Sequence, residues 1–331
     1  MGDKVLIQRA VVVGAGAIGG WLAAALHKAG AEVGLLARGA TLQALQRHGL
    51  RLREGDKEVS LPLRASDQPT DLGQPDLVVL AVKAPALAAV APQVRALLGP
   101  HTVVLTAMNG VPWWFLHGLD TPLRQHTLRS VDPTGAIAAA IPPERVIGGV
   151  VHASCSTDAP GIVRRHFGNK LIVGEPAGGS SPRLQALEAL LQRSGLELET
   201  SSRIQRDIWF KLWGNMTMNP LSALTGATTD RILGDPDLRA MVSAVMLEAR
   251  AVGEKIGLPI EQEPEDRHAV TLKLGAFKTS MLQDVEAGRP VELDALLGAV
   301  IELGQLTTTA MPFTRALMGL ARVHAQTRGL Y

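Results

Sequence analysis

The sequence predicts an α/β protein in which a doubly wound, mostly parallel sheet is followed by an all-helical C-terminal domain. Two observations support this class. Through the first half of the chain, short runs rich in Val, Leu and Ala alternate with helical stretches, which is typical of right-handed βαβ units. Beyond Ser201, long helical stretches are separated by breaks that contain proline, and no strand is evident. We therefore expect a sheet domain over residues 1–200 and a helical domain over residues 201–331.

The composition narrows the class of partner. A chain of 331 residues suits two domains, each able to bury a sizeable core. The formal net charge of +2, with 19% charged residues, gives no reason to expect nucleic acid, a membrane surface or a polyanion as partner. We predict a small-molecule partner and no metal site, and leave a homodimer open. The single cysteine, Cys155, rules out an internal disulfide and favours a cytoplasmic location.

The first predicted elements lie in residues 10–26, an uncharged run in which valines, glycines and alanines indicate a strand, a turn and a helix in succession. A signal peptide or membrane span is the alternative for this run, and the lack of paired cysteines argues against export. Further strands are predicted over 31–38, 75–83, 102–110 and 196–200, and helices over 41–50, 84–99 and 183–194. Two β-rich runs from Val146 to Glu175 flank "TDAPG" and predict an antiparallel hairpin. The helical domain is predicted to contain helices over 203–225, 236–256, 263–287, 291–304 and 313–327.

Gly14, Gly16 and Gly19 form a G-x-G-x-x-G pattern between the first strand and the first helix. In a Rossmann-type turn, the first glycine makes the tight turn, the second admits a pyrophosphate close to the backbone, and the third lets helix and strand pack closely. The free N–H groups of the helix then face the phosphate. An ordinary glycine turn is the alternative, but the strand before it and the helix after it favour dinucleotide binding.

The end of the second strand indicates which dinucleotide is bound. Enzymes that use NAD usually place an acidic residue there, whereas this chain has Ala37 and Arg38. A guanidinium at this point would pair with the 2′-phosphate of NADPH, although an ordinary exposed charge is the alternative. Lys83 and Asn109 end later strands at the same edge of the sheet, where they could contact ribose, nicotinamide or substrate. Capping of the strand ends explains their positions equally well.

Three polar residues share one side of an otherwise apolar helical stretch, "KLWGNMTMNP". Positions four apart in a helix differ by only ~40° around the axis, so Lys211, Asn215 and Asn219 form one slanting stripe. A solvated face with an Asp207–Lys211 ion pair is the alternative. The aromatic and aliphatic neighbours leave no broad polar side, so we expect the stripe to face a polar ligand. A partly desolvated Lys211 would suit a general acid, and the asparagines would orient a carbonyl, hydroxyl or carboxylate.

Five segments spread over most of the chain carry further information: "GAGAIGG" (14–20), "VKA" (82–84), "NGV" (109–111), "KLWGNMTMNPLSALTG" (211–226) and "SMLQDVEAGRPVELDALLGAVIELG" (280–304). Together they resemble the ketopantoate reductase (2-dehydropantoate 2-reductase) family, and the last two are the specific ones. The resemblance implies NADPH-dependent reduction of a 2-oxo acid to a 2-hydroxy acid. Among such reactions, the resemblance points first to the reduction of 2-dehydropantoate to pantoate, a step of pantothenate biosynthesis.

The resemblance also implies roles for individual residues. Lys211 looks like the catalytic lysine of the family, and Glu292 like the glutamate that binds substrate and supports it. Asn215, Asn219, Ser280 and Asn109 look like substrate-binding residues. Cofactor binding is implied for Gly14, Gly16, Gly19, Arg38, Lys83 and Asn109. By position alone, Glu292 also suits the first turn of a helix, and Ser280 could be a neutral helical residue.

The sequence departs from the family pattern at two places near the expected pocket. Trp113 and Trp114 follow closely after Asn109, and Thr228 and Thr229 stand where some members carry a further substrate-binding asparagine. Pocket residues determine which side chain a 2-oxo acid can have. The alternatives are therefore a dehydrogenase of another 2-oxo or 2-hydroxy acid or of an opine-like substrate, and a non-catalytic NADPH-binding sensor.

Overall fold

The structure is a computed structural model that describes residues 6–331. The chain forms two compact units. The first comprises the chain up to Met108 together with Ala136–Ile204, and the second comprises Asn109–Gly135 and Gln205–Tyr331. The chain passes from the first unit to the second for the last time after Ile204, close to the division expected at residue 200. The segment Asn109–Gly135, however, belongs to the second unit and not to the sheet domain in which the sequence-based division placed it.

Aromatic packing explains why Asn109–Gly135 joins the helical unit. Trp114 and Phe115 are buried, and the Phe115 ring lies 5.8 Å from the ring of Trp209, centroid to centroid. Gln205 adds a hydrogen bond from its Nε2 to the carbonyl oxygen of His117, at 2.9 Å. Large apolar side chains pack where their surface is removed from water, whatever their position in the sequence.

The first unit is built on one mixed, mostly parallel sheet. Its strands are β1 (Arg9–Val13), β2 (Glu32–Leu36), β3 (Leu50–Glu54), β4 (Lys57–Leu61), β5 (Arg64–Ser66), β6 (Leu77–Leu80), β7 (Val103–Thr106), β8 (Val146–Ala159), β9 (Ile162–Gly174) and β10 (Glu197–Thr200). The spatial order is β4-β3-β9-β8-β7-β6-β1-β2-β5, with β10 also paired to β9. The predicted hairpin is confirmed, since β8 and β9 pair antiparallel.

Helices lie on both sides of this sheet, as the predicted doubly wound class requires. They are α1 (Ala17–Lys28), α2 (Gly39–His48), α3 (Pro69–Leu72), α4 (Leu87–Leu97), α5 (Ala136–Ala140) and α6 (Pro182–Leu191). Side chains of α1 and α6, such as Trp21, Leu22 and Leu187, pack with inward residues of the parallel strands in one core. Strands β3, β4 and β5 are absent from the sequence-based prediction because their charged and exposed residues give no apolar run.

The second unit contains the helices α7 (Ile204–Thr225), α8 (Thr229–Gly234), α9 (Pro236–Lys255), α10 (Pro264–Leu272), α11 (Ser280–Glu286), α12 (Ala299–Leu306) and α13 (Pro312–Thr327). The helix predicted over 263–287 is divided into α10 and α11. Gly275 adopts a positive φ of 63° in the break, and the Thr279 side chain caps α11 by accepting from the N–H of Leu282. Among residues 6–331, no helix combines the length and the apolar character that a membrane crossing needs.

Candidate active site

The glycine turn of the first unit has the geometry that its sequence predicts. Gly14 has a φ of 96°, which favours glycine, and its N–H donates to the carbonyl oxygen of Leu36 at the end of β2. A Cβ on Gly19 would lie 1.8 Å from the carbonyl oxygen of Gly14, so this residue permits the close approach of α1. A Cβ on Gly16 would meet no atom within 4 Å. The middle glycine therefore faces open space beside the helix.

The open space at Gly16 fits a pyrophosphate. Gly16 is the N-cap of α1, and the first turn of α1 contains no acidic side chain that would repel an anion. The N-terminal N–H groups of this helix carry partial positive charge and lack intrahelical acceptors. The residues present thus suit the diphosphate of a dinucleotide, which would satisfy those donors.

Two cationic side chains follow the strands that border this turn. Arg38 is exposed and forms the N-cap of α2, two residues after the end of β2. Lys83 is half-buried and begins the short 3₁₀ turn Ala84–Ala86, three residues after β6. Because β1, β2 and β6 run parallel, both residues lie at the carboxyl end of the sheet, where Gly14 also lies. Ligands of doubly wound sheets bind at this edge.

The second unit brings together two of the predicted polar residues. The ammonium Nζ of Lys211 donates a hydrogen bond to Oδ1 of Asn109, at 2.9 Å. The two residues are 102 positions apart in the chain, and both side chains are half-buried. Asn109 is the first residue of the segment that joins the helical unit, which is how a residue that follows a strand comes to lie against α7.

The pKa of Lys211 is lowered to about 8, chiefly because burial removes water from its ammonium group. The negative charge of Glu292 acts in the opposite direction, and the positive charge of Arg267 lowers the pKa further. An acid with a pKa near the working pH can both give up a proton and regain it. The environment of Lys211 is therefore suited to proton transfer.

Glu292 is 8% exposed and precedes a π-helical turn over Asp294–Gly298. The carbonyl oxygen of Ala295 in this turn accepts from the N–H of Val111, at 2.8 Å. A Cβ on Gly110 would lie 2.6 Å from the same carbonyl oxygen, so only glycine permits the contact. The backbone that carries Asn109 is thereby fixed against the backbone that carries Glu292.

The C-terminal residues hold the other side of this turn. The N–H of Val291 donates to the carbonyl oxygen of Leu330, at 3.1 Å. The hydroxyl of Tyr331 donates to Oδ1 of Asp294, at 2.7 Å. π-Helical turns occur often at functional sites, because they change the direction of the side chains around them.

The remaining predicted site residues differ in burial. Asn219 is 6% exposed and Asn215 is half-buried, and both continue the stripe from Lys211 along α7. Ser280 is exposed at the first residue of α11. The roles of these three residues in substrate binding stay predictions.

The tryptophans that were expected near the pocket lie in the interior. Trp113 is 6% exposed and Trp114 is 1% exposed. Thr229 is buried as well, and its N–H and hydroxyl donate to the carbonyl oxygens of Phe277 and Gly275. The Thr229 contacts hold the start of α8 against the break between α10 and α11.

Arg267 is a residue of the site that sequence reasoning missed. Its guanidinium carbon lies 5.4 Å from the centroid of the Phe210 ring, and its charge acts on Lys211. The sequence contains no signal for this, because Arg267 lies 56 residues after Lys211 in a predicted helix that already has many charges.

Comparisons with known proteins agree over most of the chain. The model of the family "Ketopantoate reductase PanE/ApbA" matches residues 10–178, and that of "Ketopantoate reductase PanE/ApbA C terminal" matches residues 203–325. A 2-dehydropantoate 2-reductase of Mesorhizobium japonicum is 45% identical over 98% of this chain and 100% of its own length.

Solved structures show the same fold. A crystal structure assigned as a ketopantoate reductase of Ralstonia solanacearum has a TM-score of 0.95 and 56% identity, covering 98% of this chain and 100% of that one. D-mandelate dehydrogenase, solved with NADH and anilino(oxo)acetate, has a TM-score of 0.83 at 22% identity and covers 98% of this chain and 100% of its own. The second likeness concerns the fold alone, so the fold does not by itself determine the substrate.

Proposed function

Because the chain belongs to the ketopantoate reductase family, whose members are NADPH-dependent oxidoreductases that act on a CH–OH group, we propose that it reduces 2-dehydropantoate to pantoate. The observation that carries this proposal is the pair Lys211–Asn109, a lysine with a pKa of about 8 held by an amide. Full-length identity of 45% with a 2-dehydropantoate 2-reductase supports the choice of substrate.

NADPH, when bound, supplies the hydride for the carbonyl carbon of the substrate. In the proposal, Gly14, Gly16 and Gly19 admit its diphosphate to the N-terminus of α1. Arg38 pairs with its 2′-phosphate, because an exposed guanidinium can donate two parallel hydrogen bonds to phosphate oxygens. Lys83 binds at the same edge of the sheet.

Lys211 donates the proton that the substrate oxygen needs as negative charge develops on it. Its lowered pKa makes this transfer easier than from an ordinary lysine. Asn109 holds the ammonium by accepting one of its hydrogens, and the negative charge of Glu292 raises the pKa of Lys211, which favours the protonated form near neutral pH. Asn215, Asn219 and Ser280 orient the 2-oxo acid, as the resemblance to the family implies.

A second candidate is the reduction of another 2-oxo acid by the same chemistry. It is favoured by Thr228 and Thr229, which stand where some family members carry a substrate-binding asparagine. Loss of an amide that pairs with a substrate hydroxyl would change the preferred side chain of the substrate.

A panel of 2-oxo acids that includes 2-dehydropantoate tests both candidates, with NADPH absorbance as the readout. We expect turnover of 2-dehydropantoate with the highest kcat/KM of the panel. A higher value for another 2-oxo acid would favour the second candidate, and NADPH binding without any turnover would indicate a sensor. The homodimer and the cytoplasmic location stay predictions.

A further inference from the structure

Arg267 lies beside the catalytic lysine in an unusual environment for a guanidinium. Its Nε is buried and has no hydrogen-bond partner. Within residues 6–331, its side chain forms no hydrogen bond and no ion pair with an acidic group. Burial lowers its pKa, because part of the half-buried guanidinium has lost water and no acidic group in the described part of the chain compensates.

Arg267 as a whole is half-buried, and it makes few contacts that compensate for the water it has lost. Its one aromatic contact is with Phe210, where the guanidinium carbon lies 5.4 Å from the ring centroid. A cation–π contact is weaker than the desolvation penalty of a buried ion. A half-buried guanidinium with an unpaired Nε is therefore suited to bind an anion.

The backbone of α7 holds Arg267 close to Lys211. A Cβ on Gly214 would lie 2.7 Å from the Nε of Arg267, so the absence of a side chain at this position admits the guanidinium. Phe210 and Gly214 lie on one side of Lys211 around the helix, whereas Asn215 and Asn219 lie on the other. The lysine is thus placed between a cation and a pair of amides.

The substrates of the proposed reaction carry a suitable anion. In every 2-oxo acid a carboxylate is bonded to the carbonyl carbon, so a group that binds it must lie next to the group that protonates the carbonyl oxygen. Arg267 meets this condition, and a guanidinium can bind a carboxylate through two parallel hydrogen bonds. Ser280, which the family resemblance assigns to substrate binding, carries an uncharged hydroxyl.

We propose that Arg267 binds the carboxylate of the 2-oxo acid and thereby selects acids over uncharged ketones. The inference rests on the proposed function, because it assumes that a 2-oxo acid is reduced beside Lys211. Gly214 is part of the same device, since any side chain there would displace the guanidinium.

The test compares 2-dehydropantoate with its lactone, which keeps the ketone and lacks the carboxylate. Wild-type protein and the Arg267→Gln variant are compared by kcat/KM for each, and by the binding of pantoate and of uncharged pantolactone. We expect Arg267→Gln to raise the KM for the acid and the Kd for pantoate about 10- to 100-fold. Values for the uncharged lactones should change less than about twofold. Lys273→Gln, at an exposed lysine that follows α10, is the matched control and should change neither.

An acid-to-lactone preference that is unchanged in Arg267→Gln would overturn the assignment while leaving the proposed function intact. A wild-type protein that reduces no 2-oxo acid would overturn both. If Arg267→Gln does not fold, Arg267→Lys gives the same comparison, because it keeps the charge and loses the two-fold donor geometry. We then expect about a 3- to 10-fold loss for the acid alone, and an unchanged preference would again overturn the assignment.

Discussion

The two units form their parts of the site in different ways. In the first unit, three glycines within six residues leave room for a ligand, and the groups that would bind it are backbone N–H groups. In the second unit, the polar groups are side chains from residues 109, 211 and 292, which only tertiary packing brings together. A site of backbone groups is local and tolerates no added atoms, whereas a site of side chains is dispersed and depends on charge.

The largest expected effect is at the dispersed site. Replacing Lys211 by Ala removes the proton donor, so kcat should fall about 10²- to 10⁴-fold. The Kd for NADPH, measured by fluorescence titration, should stay within about twofold, because the glycine turn lies in the other unit. Lys57→Ala, at an exposed lysine of β4, is the control. A variant that keeps full turnover would refute the role of Lys211.

The next effect concerns the local site. In Gly16→Ala, the added Cβ meets no protein atom within 4 Å, so the melting temperature should be unchanged. The same Cβ would occupy space that the diphosphate needs, and the Kd for NADPH should rise about 10- to 100-fold. Gly234→Ala, at another open position without a positive φ, should change neither quantity. Unaltered NADPH binding in Gly16→Ala would show that the diphosphate lies elsewhere.

A smaller effect is expected on the preference for NADPH over NADH. Arg38→Asp replaces a guanidinium by a carboxylate at the end of β2, which repels a 2′-phosphate and can accept from a ribose hydroxyl. The ratio of kcat/KM for NADPH to that for NADH should fall about 10- to 100-fold. Arg47→Asp, an exposed change on α2, should leave the ratio as it is. If the wild-type protein already prefers NADH, the interpretation of Arg38 is wrong.

The smallest effect is a shift of the pH profile. Since the protonated form of Lys211 is the active acid, kcat/KM for reduction should fall as pH rises through its pKa of about 8. Glu292→Gln removes the charge that raises this pKa, so the fall should begin at lower pH. Arg267→Gln removes a charge that lowers it, so the fall should begin at higher pH. Shifts in the same direction for both variants would contradict the opposite effects of Glu292 and Arg267 on the pKa of Lys211.

Local patterns explain what could be predicted from the sequence. The glycine turn could be predicted because each glycine meets a backbone requirement within one βα unit. The Lys211 stripe could be predicted because helical periodicity places its members on one side of the helix. Asn109 could be placed only at the end of a strand, since its partner lies 102 residues away. Arg267 could not be identified from the sequence, because its unpaired Nε and the action of its charge on Lys211 both arise from tertiary packing. Burial of Trp113 and Trp114 also followed from tertiary packing.

The segment Asn109–Gly135 has a consequence for the order in which the molecule can form. The chain leaves the sheet unit after Met108 and returns at Ala136, long before the helices that cover the excursion are synthesised. At about 5–20 residues per second, α7 follows Asn109 off the ribosome by roughly 5–20 s. During that interval the run from Trp113 to Leu116, buried in the finished protein, has no partner helix. Biogenesis therefore includes a waiting period, in which four adjacent apolar side chains of a nascent chain must be kept from other surfaces.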